Sequence, residues 1–163
     1  MPEQLDDERL GVTLKQVVIR AIDEAAHRGS ANVEAEHLLL SIAAGDDIAA
    51  KTLAEFGLGY SGVEAALRGE REQALRAAGI EPVDDERLRA TRNSRPGWGA
   101  SLRDAMKRAD YRRHRDRSHA ERERLAVADT LLGVLRADLG TVPRALSYAG
   151  VDRATLMARL EQL

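Results

Sequence analysis

The chain has 163 residues, of which 44% are hydrophobic and 32% are charged, which suits one compact domain or two very small ones. It has no cysteine, and this excludes both a disulfide and a thiolate zinc site. The first ten residues lack the apolar segment of a signal peptide, and no apolar run approaches the roughly 20 residues that span a bilayer. We therefore expect a cytoplasmic protein without membrane association.

The small net charge of −2 hides a difference between the two halves of the sequence. Residues 1–86 hold 8 Lys or Arg against 18 Asp or Glu, a balance of −10, and residues 87–163 hold 17 against 9, a balance of +8. This asymmetry suggests that the second half meets an acidic partner, either another protein or the acidic first half of the chain itself.

Helical periodicity dominates the first half. The apolar residues from Leu14 to Ala25 follow the spacing of one helix face, which predicts a helix of about 15 residues. Thr13 and Gln16 form a capping-box pattern at its start, and Gly29 is placed to end it.

Three more helices follow in the first half, and the first of them is apolar enough to be buried. They are predicted at residues 36–44, at 48–56 with a stop at Gly57, and from Ser61 towards Ala78. Residues 57–62 match the letters of a dinucleotide-binding fingerprint, but a helix precedes them where that fingerprint needs a strand. We interpret them as a helix stop and a loop.

The second half repeats this plan after a break at residues 79–97, which contains two prolines and a run of charge and is typical of a linker. Segments 10–14, 39–42 and 53–58 align with 98–102, 131–134 and 146–151, at offsets of 88, 92 and 93. The drift indicates about five residues inserted in the second copy, mostly within 112–125.

The fold class predicted from this repetition is all-α. We expect a single domain over residues 1–163, built from two tandem four-helix repeats at about 10–78 and 98–163. Neither repeat is expected to bury its apolar faces well alone, so the two should pack as one pseudo-twofold, eight-helix domain.

The residues that carry this plan resemble a known family. Glu36-His37-Leu38-Leu39 follows the first helix at the family spacing, and Leu53 and Gly57-Leu58 follow in turn. With the recurrence in the second half, this resembles the Clp N-terminal repeat domain, which caps the Clp ATPases that feed substrates to a protease barrel. The resemblance covers roughly residues 10–163 and is closer in the first copy. Because no ATPase module follows, it implies a stand-alone Clp N domain.

The chain departs from the family pattern at the residues that open each copy. The family has an aromatic-Thr pair there, and this chain has Leu10-Gly11 and Trp98-Gly99. The Glu-His pair of the second copy is replaced by Ala128-Asp129. In some family members the Thr and Glu positions help to bind phosphoarginine, a mark for degradation. Of those four positions only Glu36 is kept, so the resemblance leaves phosphoarginine binding open.

The resemblance implies a ligand-binding groove between the copies, with Leu10, Val17, Glu36, Trp98 and Arg103 as candidate residues. The family aromatic that corresponds to Trp98 borders a site for adaptors and cyclic-peptide antibiotics. We expect apolar burial around Trp98, with Glu36 and Arg103 fixing the orientation of the ligand. The other interpretation of Trp98 is a core residue that anchors the second copy.

The sequence offers no catalytic motif. It lacks a phosphate-binding loop, an H-E-x-x-H zinc motif and a G-x-S-x-G elbow, so we expect no enzyme activity, no cofactor and no metal. His37, at the start of a buried helix, is interpreted as a neutral imidazole bonded to a nearby backbone group. The segment from His114 to Glu123 is interpreted as a solvated charged loop rather than a metal site.

The function predicted from these observations is a non-catalytic protein- or peptide-binding module. Its partners would be Clp ATPase or protease components, adaptors or peptide-like ligands, and it would modulate Clp-dependent proteolysis or sequester a ligand. The alternative is a nucleic-acid-binding regulator that uses Arg103 to Arg124, with nine Lys or Arg and five Asp or Glu. The interleaved acids suit i, i+4 pairing on an exposed helix, which favours a protein partner over nucleic acid.

Overall fold

The computed structural model describes residues 12–82 and 95–163. In these two ranges the chain forms eight α-helices, one 3₁₀ helix and two strands of two residues each, which confirms the all-α class. In chain order the elements are α1 (Val12–His27), β1 (Asn32–Val33), α2 (Ala35–Ala43), α3 (Ile48–Glu55), α4 (Tyr60–Ala77), β2 (Gly97–Trp98), α5 (Ala100–Arg108), the 3₁₀ helix (Tyr111–His114), α6 (His119–Leu135), α7 (Thr141–Tyr148) and α8 (Arg153–Glu161).

The ends of the first helix match the sequence pattern only on one side. Gly29 adopts a left-handed φ of 68°, and the N–H of Ser30 donates to the carbonyl of Ala25 at 3.0 Å, so α1 ends in the glycine-based cap that was predicted. At the other end, α1 begins at Val12, before Thr13 rather than after it. The prediction of Thr13 as the capping residue is therefore wrong.

The core centres on α2 and α6. Every residue of α2 except Glu36 is buried, which confirms the predicted burial of this helix. The last turns of α6 are buried in the same way, from Val127 to Leu135. Because α2 packs against α6 and each also packs against helices of the other half, the two halves share one core. No helix in the described residues is long and apolar enough to cross a membrane.

Contacts between the halves come in matching pairs. Helix α4 packs on α7 and α8 packs on α3, while α1 packs on α6 and α5 packs on α2. These are the contacts that a twofold axis would exchange if α1–α4 corresponded to α5–α8. They agree with the predicted pseudo-twofold packing and with the predicted repeat boundaries, both of which stay predictions.

The predicted insertion lies within the described residues, whereas most of the predicted linker does not. The insertion forms the 3₁₀ helix and an extension of α6, which has 17 residues against nine in α2. Most of the predicted linker, at 83–94, lies outside the described residues. Its last residue, Gly97, belongs to β2, which pairs in parallel with β1.

A second link joins the segments that precede α2 and α5. The hydroxyl of Ser101 accepts a hydrogen bond from the N–H of Ala35 at 2.8 Å and donates one to the carboxylate of Glu34. That carboxylate also accepts from the N–H of Ser101 at 3.2 Å. Ser101 thus accepts from a backbone N–H at the start of α2, and Glu34 accepts from one at the start of α5. Such N–H groups in the first turn of a helix have no partner within the helix itself.

Candidate functional site

A groove of about 640 Å³ opens where elements of the two halves meet, and we call it the central groove. The end of α1, the start of α2 and the second half of α4 line it from the first half of the chain, and the start of α7 lines it from the second. Its apolar residues are Leu40, Leu67, Ala74 and Leu75, and its polar ones are Arg28, Ser30, Glu36, His37, Glu70, Arg71, Thr141 and Arg144.

Glu36 brings a carboxylate to this groove. It is the second residue of α2 and the one position of that helix that reaches the surface, where the positive end of the helix dipole favours a negative charge. Burial raises its pKa, and the charges of Glu34 and Glu70 act in the same direction. The positive charge of Arg144 and a backbone hydrogen bond oppose that rise. A raised pKa of this kind marks a carboxylate poised to gain from a cationic or hydrogen-bonding partner.

Glu70 and Arg144 form an ion pair across the groove. Arg144 Nε on α7 lies 2.8 Å from Glu70 Oε1 on α4. Glu70 is only 7% exposed, whereas the side chain of Arg144 is 60% exposed. The pair therefore joins the two halves through a buried carboxylate and a largely solvated guanidinium.

Arg28 is held at the end of α1 by the first half alone. Its guanidinium bonds to Glu24 at 3.1 Å and to Glu64 at 2.6 Å, and it donates to the hydroxyl of Tyr60 at 3.4 Å. Burial acts to lower the pKa of Arg28, but the hydrogen bonds that its guanidinium donates to Tyr60 and to the two carboxylates outweigh it, so the pKa is raised. Arg28 is thus a fixed positive charge beside His37.

His37 is a neutral structural residue. Its Nδ1 accepts the N–H of Glu34 at 2.9 Å, which confirms the predicted bond to a neighbouring backbone group. Burial, followed by the charge of Arg28, lowers its pKa to about 4. At pH 7 the ring is therefore uncharged, and because Nδ1 accepts, its proton sits on Nε2.

Of the four sequence-predicted site residues that the structure describes, only Glu36 lines the central groove. Leu10 lies outside the described residues. Val17 is completely buried in the core, so it offers a ligand no surface. Trp98 is 42% exposed on β2, so its interpretation as a core residue is wrong. Neither Trp98 nor the exposed Arg103 lines the groove, and their binding roles stay predictions.

Most of the groove residues that the sequence did not single out come from α4 and α7. Glu70 and Arg71 sit in a polar stretch of α4, and Thr141 and Arg144 open α7 after a glycine. No motif distinguishes Glu70 from the other carboxylates of α4. Glu70 is distinguished by its pairing with Arg144, 74 residues away in the chain, and such a long-range contact is visible in the structure and not in the sequence.

The inserted segment contains a buried pair that corrects one expectation. His114 Nε2 lies 3.2 Å from Asp129 Oδ1, and both side chains are buried, so the interpretation of His114 as part of a solvated loop is wrong. Burial raises the pKa of Asp129, and the charges of His114 and Arg113 oppose that rise. Across the described part of the chain, no group of three or more His, Asp or Glu residues is placed to hold a metal ion.

Comparison with known proteins supplies the family. No curated protein matches the chain. The sequence model of the Clp repeat (R) N-terminal domain matches residues 9–149, which is most of the 163 residues and reaches from the start of α1 to the end of α7. The chain therefore belongs to the Clp repeat N-terminal domain family.

Proposed function

We propose that this Clp-type N domain is a non-catalytic, peptide-binding module and that the central groove is its binding site. The observation that carries the proposal is the composition of the groove, in which an apolar floor from the partly exposed Leu67, Ala74 and Leu75 is bordered by charged side chains of both halves. Ligand sites typically have volumes of about 300–1,000 Å³, with mostly apolar walls and a few placed polar groups. The central groove, at about 640 Å³, fits that description.

Glu36 is the groove residue best suited to orient a ligand. Its carboxylate is partly desolvated, so a hydrogen bond or ion pair made there is stronger than one at an open surface. No cation of the described chain forms an ion pair with it. A bound peptide that offers a donor to Glu36 would satisfy this group while its apolar side chains contact the floor.

Family membership supports a role beside Clp machines. The proposed consequence of peptide binding is either modulation of Clp-dependent proteolysis or sequestration of a peptide-like ligand. The proposed partners are Clp ATPase or protease components and their adaptors. The cytoplasmic location expected from the sequence stays a prediction.

The binding proposal is tested with fluorescein-labelled peptides from a casein digest, followed by anisotropy. Glu36→Gln keeps the shape of the side chain and removes its charge, and we expect it to weaken binding by about tenfold, the value of one hydrogen bond to a charged group. Asp46→Asn is the matched control, because Asp46 is exposed and outside the groove. Equal affinity of the two variants for every peptide would contradict the assignment of the groove.

The role in proteolysis is tested in a reconstituted Clp ATPase–protease reaction with a fluorescent substrate. Addition of the wild-type chain is expected to change the degradation rate, and Glu36→Gln is expected to reduce that change. The proposed function is wrong if the chain binds none of the peptides, the ATPase or its adaptors and also leaves the degradation rate unchanged.

A nucleic-acid-binding regulator is the second candidate, because several arginines of the segment from 103 to 124 are exposed. Arg112, Arg115, Arg117, Arg122 and Arg124 all face solvent. If they neutralised several phosphates, the logarithm of the DNA affinity would fall steeply with the logarithm of salt concentration, by about 0.9 per phosphate. A flat response removes this candidate.

A further inference from the structure

The central groove contains a buried carboxylate whose partner is largely exposed to solvent. Glu70 is 7% exposed, and an unpaired charge at such a depth is costly. In the described residues its single ion-pair partner is Arg144, whose side chain remains 60% exposed. Arg144 therefore satisfies Glu70 while leaving most of its own surface in water.

A second carboxylate, that of Glu36, shares the groove with this ion pair. Glu36 and Glu70 line the same groove, and the charge of Glu70 raises the pKa of Glu36 whereas that of Arg144 lowers it. The three side chains are thus within electrostatic reach of one another. Arg144 reaches from α7 to Glu70 on α4 across this groove.

We propose that Arg144 is a built-in competitor whose guanidinium occupies, at Glu70, a cation subsite for an unmodified arginine side chain of a bound peptide. The proposal rests on the peptide-binding function proposed above and names the chemistry of its ligand. An incoming guanidinium would replace the Arg144 guanidinium with one of the same geometry and charge, so Glu70 never loses its partner.

Displacement is favourable because of the unequal exposure of the pair. Arg144 is already mostly solvated, so swinging it into water releases a flexible side chain and requires little further hydration. The incoming arginine, tethered to a peptide on the apolar floor, gains the buried carboxylate. While Arg144 pairs with Glu70, a free cation would bind weakly at this carboxylate. An arginine would bind there only when the rest of its peptide also contacts the groove.

The test uses Arg144→Met, which keeps a long unbranched side chain and removes the competing charge. The probe is Nα-acetyl-arginine amide, and the matched probe is Nα-acetyl-citrulline amide, which has the same shape without the charge. We expect the variant to bind the arginine probe at least about tenfold more tightly than the wild type and to gain melting temperature from it. The citrulline probe should do neither, and adding Glu70→Gln should abolish the gain.

Three results would overturn the proposal. The first is that the wild type and Arg144→Met bind the arginine probe with equal affinity. The second is that Arg144→Met binds the citrulline probe as tightly as the arginine probe. The third is that Glu70→Gln/Arg144→Met keeps the gain in affinity for the arginine probe. If Arg144→Met alone does not fold, Glu70→Gln in the otherwise wild-type chain decides the matter with two labelled peptides that differ only in arginine or citrulline. The wild type should prefer the arginine peptide and Glu70→Gln should not. Any other pattern overturns the competitor role.

These outcomes separate the inference from the function on which it rests. If casein peptides bind in the central groove but removing Arg144 brings no gain for the arginine probe, the competitor role is wrong and the peptide-binding function stands. If no peptide binds the wild type or Arg144→Met, both are wrong.

Discussion

At the scale of single residues, the groove depends on polar groups that are fixed before any ligand arrives. His37 locks the start of α2 through its bond to the N–H of Glu34, and Arg28 is held by two carboxylates. Because these groups are satisfied inside the protein, the ligand-facing charge at the start of α2 is that of Glu36. This division of roles gives His37 a measurable pH signature.

Acidification should destabilise the protein through His37. Its pKa is about 4 when folded and about 6.5 when unfolded, so between these values the unfolded chain binds more protons. The free energy of unfolding is therefore highest above pH 6.5 and falls as the pH is lowered towards 4. We expect this loss to reach up to about 3 kcal/mol. Urea unfolding across this pH range measures it.

His37→Gln isolates that contribution, because a glutamine oxygen at the same position still accepts the N–H of Glu34. This variant should lose less stability than the wild type on acidification, and His119→Gln, at an exposed histidine, should behave as the wild type does. Parallel pH profiles for all three proteins would show that His37 titrates normally in the folded state.

At the scale of elements, the contact between α1 and α2 differs from the contact between the corresponding helices α5 and α6. In the first half, Ser41 on α2 donates to the carbonyl of Val17 on α1. In the second half, the aligned residues are Gly133 on α6 and Ala105 on α5, and a Cβ at Gly133 would overlap the carbonyl oxygen of Ala105. Glycine thus lets α5 approach α6 more closely than any side chain would permit.

Gly133→Ser should consequently destabilise the protein although serine is the residue at the aligned position of the first half. Because the atom in the way belongs to the backbone, α5 must shift, and we expect a loss of about 1–3 kcal/mol. Thermal unfolding followed by circular dichroism measures it. Gln73→Ala, at an exposed position of α4, is the control and should stay within about 0.5 kcal/mol of wild type. An unchanged stability of Gly133→Ser would mean that the helices are not in close contact.

At the scale of the whole molecule, the halves are joined so that the groove between them has fixed walls. The β1–β2 pair and the bonds between Glu34 and Ser101 connect the segments that enter α2 and α5. Helix α4 also packs on α7. Since these links cross between the halves, we expect the halves to unfold together.

A double-mutant cycle on Glu34 and Ser101 tests this coupling. Ser101→Ala removes the acceptor at the start of α2 and should cost about 1 kcal/mol, and Glu34→Ala, which removes the carboxylate that accepts from Ser101, should cost a similar amount. Because the two residues bond to each other, the double variant should lose clearly less than the sum of the single losses. All three should retain a single transition in scanning calorimetry. Additive losses, or two separate transitions, would show that the halves are independent.

Local patterns in the sequence predict most of the fold and little of the site. The apolar spacing around Leu14 and the apolar run of α2 depend on neighbours in sequence, so the helices, the end at Gly29 and the role of His37 follow from them. The pairing of Glu70 with Arg144, and that of Glu34 with Ser101, join residues 74 and 67 positions apart. Such contacts depend on how the helices pack, which no local pattern encodes.

Peptide binding in the central groove can be located residue by residue with a backbone-amide NMR titration of the ¹⁵N-labelled chain with a casein peptide that binds. The largest shift changes are predicted at Ser30, Glu36, Leu67 and Thr141, from four different walls of the groove. If the changes instead centre on Trp98 and Arg103 and the groove amides do not shift, peptides do not bind in the central groove. The binding site is then the surface that the family resemblance implies.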